Sequence, residues 1–186
     1  MASRVGGGEA VDLVIMAADR IDELIRTGKI APGKVELARS GVGVAARADA
    51  PRLEIDSTEA LRRTLLAANS IALSTGLSGL YMTGLLQRMG IAGELKTKLR
   101  QIKGVPIGEV VARGEAEIGF QQLSELYPVK GIQIAPLPPE IQHTIVFAAG
   151  VPAAAKEPDA GRALAKFLTT PAAVLTIRKT GLEVGN

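Results

Sequence analysis

Residues 70–90, SIALSTGLSGLYMTGLLQRMG, decide how the rest of the chain is read. Ser70 to Leu73 has the apolar density of a short buried strand. Six small or polar residues follow as a turn: Ser74, Thr75, Gly76, Leu77, Ser78 and Gly79. An amphipathic helix is expected from about Gly79 to Met89, with Leu80, Leu85, Leu86 and Met89 facing inward and Gln87 and Arg88 in water. Gly90 ends it. A strand that feeds a Ser/Thr/Gly turn into a helix start brings free backbone N–H groups, hydroxyls and the positive end of the helix dipole to one point. Such a point holds an anion. The plainer alternative is that Ser78 only caps the helix.

Upstream, Val11 to Ala17 is a continuous apolar run of strand length, as in a parallel sheet covered on both faces. Asp19 is placed to cap a helix over Arg20 to Thr27 that buries Ile21, Leu24 and Ile25 and closes at Gly28. Val35 to Ala46 is long and extended, with glycines alternating with Val42 and Val44, which suits a strand passing from one sheet to another. Asp56 or Ser57 caps a helix from Thr58 to Ala68.

Downstream, Gly104 to Gly108 makes a tight loop, and Ile107 to Gly114 a short helix. The strand Ala116 to Gln121 carries Gln122 and Ser124 at its carboxyl end, where open α/β sheets bind ligands. Ile132 to Ala135 is a strand, Thr144 to Ala149 a second candidate crossover, and Ala160 to Leu168 and Pro171 to Thr180 are helices. The alternation predicts an α/β protein with mainly parallel sheet.

Composition narrows the chemistry. The 186 residues, 47% apolar and 22% charged, suit a folded chain of one domain or two small lobes. Aromatics at 3%, with no Trp, leave little surface for stacking bases or sugar rings. A net charge of +3 from scattered basic residues offers no polyanion track, so no nucleic-acid partner is expected. The absence of Cys removes disulfides and thiol chemistry. No apolar run nears the roughly 20 residues of a membrane span, and residues 1–10 lack a secretory apolar core.

His143 is the single histidine and reads as a surface or hinge residue. Metal-ligand spacing, a Walker loop and a G-x-G-x-x-G helix start are all lacking, so neither a metal nor a cofactor is expected. Glu115 and Glu117 read as a solvated strand entrance. What remains is a set of neutral groups suited to binding rather than turnover: Ser74, Thr75, Ser78, Gly79, the Val105–Pro106 loop, Gln121 and Gln122. Neutral dipoles hold an ionised oxyanion without a buried counter-charge.

Several stretches then point further: GEAVDLVIMAADRIDELIRTGKI, LARSGVGVAARADAP, STGLSGLYMTGLLQRMGI, ARGEAEIGFQQLSEL, HTIVFAAGV and DAGRALAKFLTTPAAV. In this order they resemble the solute-binding proteins of molybdate-type ABC transporters over nearly the whole chain. The resemblance implies a type II periplasmic binding fold, with two α/β lobes linked by two crossover strands that close on a ligand. Lobe one would be 1–45 plus 147–186 and lobe two 46–146. It also implies a periplasmic location, a membrane permease as partner, and a small anionic ligand.

Measured against that family, the chain begins inside the helix that follows the first strands, so lobe one is expected to be incomplete. An exposed sheet edge there would favour a homodimer. Molybdate binders resemble one another in a Tyr near the place of Gln122, whereas GFQQ resembles members that handle organic acids. The alternative to a receptor is therefore an isomerase of a tricarboxylate such as aconitate on the same scaffold. For it, lobe two offers Glu109, Glu115 and Tyr81 as bases.

Overall fold

A computed structural model of the chain describes residues 2–184. The chain divides into two compact units, Met1–Arg39 with Ile145–Asn186, and Ser40–Thr144. It leaves the first unit inside strand β2 (Val35–Arg47) and re-enters it along strand β7 (Thr144–Gly150).

The first unit contains α1 (Ala2–Gly6), β1 (Val14–Ala17), α2 (Ala18–Arg26), α8 (Pro158–Phe167) and α9 (Pro171–Lys179). Helix α2 forms because Ile21 and Leu24 recur on one face and sink into a core with Val14, Ile30 and Ala148. Gly28 ends it at φ 68, where the amides of Gly28 and Lys29 bond back to Ile25 and Leu24. Asp19 does not cap the helix. It lies within the first turn behind Ala17, and its Oδ1 accepts from the Arg20 amide at 2.8 Å.

Strand β1 also departs from expectation. It pairs antiparallel with β7, from Val14 opposite Gly150 to Ala17 opposite Phe147, and Ile15 is 46% exposed. An apolar run marks a strand, but the covering of both its faces and the direction of its neighbour depend on residues elsewhere in the chain.

The second unit is built on a sheet in the order β6, β2, β5, β3, β4, with β3 (Ile71–Ser74), β4 (Leu99–Ile102), β5 (Ile118–Gln122) and β6 (Ile132–Pro136). Only β3 with β4 and β3 with β5 are parallel; β2 runs antiparallel to both β5 and β6. The sheet is thus mixed and not mainly parallel, because alternation of strands and helices does not set the direction in which the long β2 is crossed.

Strands β2, β3 and β5 send alternate residues to opposite faces. Ile71, Leu73, Ile118, Phe120, Val42 and Val44 enter one core with Leu61, Leu65, Met82 and Leu86 of α3 (Thr58–Ala67) and α4 (Leu77–Arg88). On the other face small residues admit the remaining helices closely. Ala45 and Ala72 meet Ile107, Val110 and Val111 of α6 (Ile107–Ala112) and Leu126 of α7 (Leu123–Leu126). A methyl group on Gly119 would lie 2.4 Å from Ile107, and one on Gly43 2.5 Å from Leu123.

Ser57 caps α3 by accepting from the Ala60 amide at 3.2 Å, so of the two candidates Ser57 is the cap. Helix α5 (Ala92–Leu95) and strand β4 lie between α4 and α6. Among the described residues no helix is long and apolar enough to cross a membrane.

Candidate functional site

Because β3, β4 and β5 are parallel to one another, their carboxyl ends share one edge of the sheet, where Ser74, Ile102 and Gln122 close the strands. A hollow of about 640 Å³ opens there in the second unit. Ser74, Thr75, Ser78, Val105, Pro106, Gln121 and Gln122 all line it; Gly79 does not. Gly79 stands behind the wall, so close to β3 that a Cβ would come 1.7 Å from the carbonyl oxygen of Ser74.

Helix α4 starts at Leu77, two residues before the expected place, with Gly76 as its N-cap and no side chain capping it. Ser78 is therefore inside the first turn and is not the cap. Its buried hydroxyl lies 3.1 Å from that of Ser74, which also accepts from the Gly76 amide at 3.3 Å. The first backbone bond of the helix runs from the Leu80 amide to Gly76. The amides of Leu77, Ser78 and Gly79 precede it, as helix-start donors do.

Leu80 does not join the inward face as expected. It is 67% exposed, while Met82, Leu85 and Leu86 are buried.

The two glutamines do different things. Gln121 is buried, and its Oε1 accepts from the Ile107 amide at 2.7 Å, capping α6 in place of Pro106, whose side chain has no acceptor. Gln122 turns its Nε2 to Glu125 Oε1 at 3.4 Å, and its own Oε1 is buried without a hydrogen-bond partner.

Two lining carboxylates complete the hollow, Glu109 on α6 and Glu125 on α7. Of these the sequence points to Glu109 alone, and only as a base. Nothing in it marks Glu125, since helix α7 is a single turn, too short to leave a periodic signature. Loss of solvation raises the Glu125 carboxyl above the ordinary carboxylate value, and the Gln121 amide works against that. Glu109 has Arg113 at 3.5 Å. No Lys, Arg or His among the described residues lines the hollow.

The other candidate bases lie outside it. Glu115 is bound to Arg113 at 2.6 Å, and the Tyr81 hydroxyl donates to the Ile141 carbonyl at 2.6 Å. Exposed His143 stacks on the Tyr81 ring with centroids 4.4 Å apart. Glu117 accepts from the backbone and side chain of Asn69. Among the described residues no cluster of three metal-ligating side chains occurs.

A raised carboxyl has a definite consequence for stability. Its neutral form is favoured in the folded protein, so its contribution is fully present below the unfolded-state pKa and is lost as pH rises through the folded value. Glu125→Gln should therefore raise the melting temperature more at neutral pH than at about pH 4. An equal shift at both would show that the carboxyl is not perturbed.

The arrangement can accept the charged end of a small molecule at the start of α4, with acceptor groups on the facing side. The model of the bacterial extracellular solute-binding protein family matches residues 1–183. An aconitate isomerase from a Pseudomonas species is 36% identical over 184 residues, 97% of this chain and 70% of that protein. Two solved structures share the fold at low identity. The periplasmic molybdate-binding protein of Azotobacter vinelandii has a TM-score of 0.77 and 18% identity, covering 100% of this chain and 83% of its own. A periplasmic thiamin binding protein has 0.76 and 14%, covering 100% and 69%. The type II periplasmic-binding architecture and the sequence together place the chain in one family: it belongs to the bacterial extracellular solute-binding proteins.

Proposed function

We propose that the protein is the periplasmic receptor of an ABC importer and that the hollow of the second unit holds the anionic end of a small organic acid. The observation that carries this reading is the convergence of the Ser74–Ser78 hydroxyl pair, the uncapped start of α4 and Gln122 on one edge of the sheet. The start of a 12-residue helix with free amides attracts negative charge. Glu109 and Glu125 weigh against a compact, doubly charged oxyanion such as molybdate, which would bring all its charge beside them. An organic acid keeps its carboxylate at α4 and sends the rest of the molecule toward the glutamates.

A thermal-shift panel of molybdate, tungstate, sulfate, phosphate, citrate and cis- and trans-aconitate tests this. A ligand at 100 times its Kd stabilises by about 2.7 kcal/mol, which raises Tm by about 5–10 °C for a chain of this size. A carboxylate is expected to give that shift, and a panel without any shift rejects the reading. Ser78→Ala should weaken the best acid by about 1–3 kcal/mol, measured by calorimetric titration. A loss of melting temperature without a loss of affinity would confine Ser78 to holding Ser74.

A second reading, proton transfer on an unsaturated tricarboxylic acid, is favoured by Glu125 and by the likeness to an aconitate isomerase. A carboxyl raised toward the working pH is a better proton carrier than an ordinary one. Interconversion of trans- and cis-aconitate, followed by absorbance, should then occur with the native protein and be lost in Glu125→Gln. Binding of both isomers without interconversion leaves the receptor reading alone.

A further inference from the structure

We infer that the ligand of this hollow is a carboxylic acid that also carries a hydrogen-bond donor, a hydroxyl or an ammonium group, and that Gln122 and Glu125 recognise that donor. The inference rests on the receptor reading above and adds the chemical class of the ligand.

The polar groups of the hollow are sorted by side. On the α4 side they are givers: the hydroxyls of Ser74 and Ser78 and the first amides of the helix. On the side of α7 the glutamine amide nitrogens are turned to Glu125, and the groups left over are oxygens. Gln121 already has its Oε1 engaged by the Ile107 amide. Gln122 does not. Its Nε2 faces Glu125, so its Oε1 is turned away, buried and without a donor among the described residues. With Glu125 ionised, reversing the amide would set that oxygen against the carboxylate, acceptor against acceptor.

A buried acceptor left unpaired is costly, and because Gln122 lines the hollow, a rotation of its side-chain amide toward the ligand would let the ligand supply the proton. Glu125 asks for the same thing. It lies in none of the ion pairs of the described residues, unlike Glu109, and a donor from the ligand would replace the solvation its surroundings remove. A ligand with oxygens of one kind only satisfies the α4 side and leaves the α7 side as it was. One with a carboxylate at one end and a hydroxyl or ammonium further along satisfies both.

Matched acids that differ by this single group provide the test: tricarballylate against citrate, and succinate against malate and aspartate, titrated calorimetrically with the full chain. The member carrying the donor should bind about tenfold more tightly or better, since hydrogen bonds to charged or buried acceptors discriminate at that level. Malate and aspartate separate the hydroxyl from the ammonium. Glu125→Gln and Gln122→Met should each reduce the ratio by about threefold or more, and Gln122→Met should melt no lower than the native protein, because it removes an unpaired oxygen. Equal affinities within every pair overturn the inference and leave the receptor reading in place, as does tighter binding of aconitate than of citrate. If none of these acids binds, the reading beneath it fails as well.

Discussion

Gly79→Ala is expected to cost about 3 kcal/mol or more and to lower Tm by about 6–12 °C, with loss of ligand binding. The added carbon would lie 1.7 Å from the carbonyl oxygen of Ser74 and 2.7 Å from its carbonyl carbon. Both atoms belong to backbone that pairs β3 with β4 at the Ser74–Ile102 position, so the obstacle does not rotate aside as a side chain would. Relief requires α4 to lift off the end of β3, which would separate Ser78 from Ser74 and open the turn. At Gly93, the second position of α5, an added Cβ would meet nothing within 4 Å. Gly93→Ala should therefore be neutral or stabilising by up to about 1 kcal/mol. Urea unfolding of the two variants decides the matter: a Gly79→Ala protein with the native midpoint would show that α4 and β3 are not in close contact.

Phe120→Ala should cost about 3–5 kcal/mol, the range for emptying a fully buried aromatic position. Phe120 has no exposed surface, is paired with Val44 of β2 and Leu73 of β3, and packs in the core formed with α3 and α4. Its importance to the site is positional. In β5 the residues alternate, so Phe120 going to the α4 face sends Gln121 to the α6 face, where it finds the Ile107 amide. With Phe120 truncated, the register that aims both glutamines has less to hold it, and affinity should fall together with stability. Phe167, 57% exposed on α8, is the control; truncating it should change stability by no more than about 0.5 kcal/mol. Comparable losses from both variants would mean that the core does not lie where the sheet places it.

Much of the second unit was legible from residue order. The strand, turn and helix of residues 70–90 are present, with Gly90 at φ 71 ending the helix region, and the glycines of β2 do mark close approach, Gly43 to Leu123 and Gly41 to Gln142. Ser74, Thr75, Ser78, Val105, Pro106, Gln121 and Gln122 share one hollow because a parallel strand end and a helix start are local features that dictate which way their polar groups face. Leu80 misled because a step of five residues from Leu80 to Leu85 turns a helix by about 500°, leaving the two about 140° apart. The true stripe is Met82, Leu85, Leu86. Strand β4, LRQI, has neither an alternation nor a flanking turn signal to announce it.

Local pattern thus determined where strands and helices begin, where glycine was obligatory, and that small neutral donors gather at one strand end, because each depends on residues within a turn or two of one another. Tertiary structure alone decided that the sheet is mixed, that Gln121 closes α6, and that Glu125 joins the hollow. Those outcomes rest on pairings between residues distant in the chain, and on how much water each group loses when they meet. No stretch of sequence carries that quantity on its own.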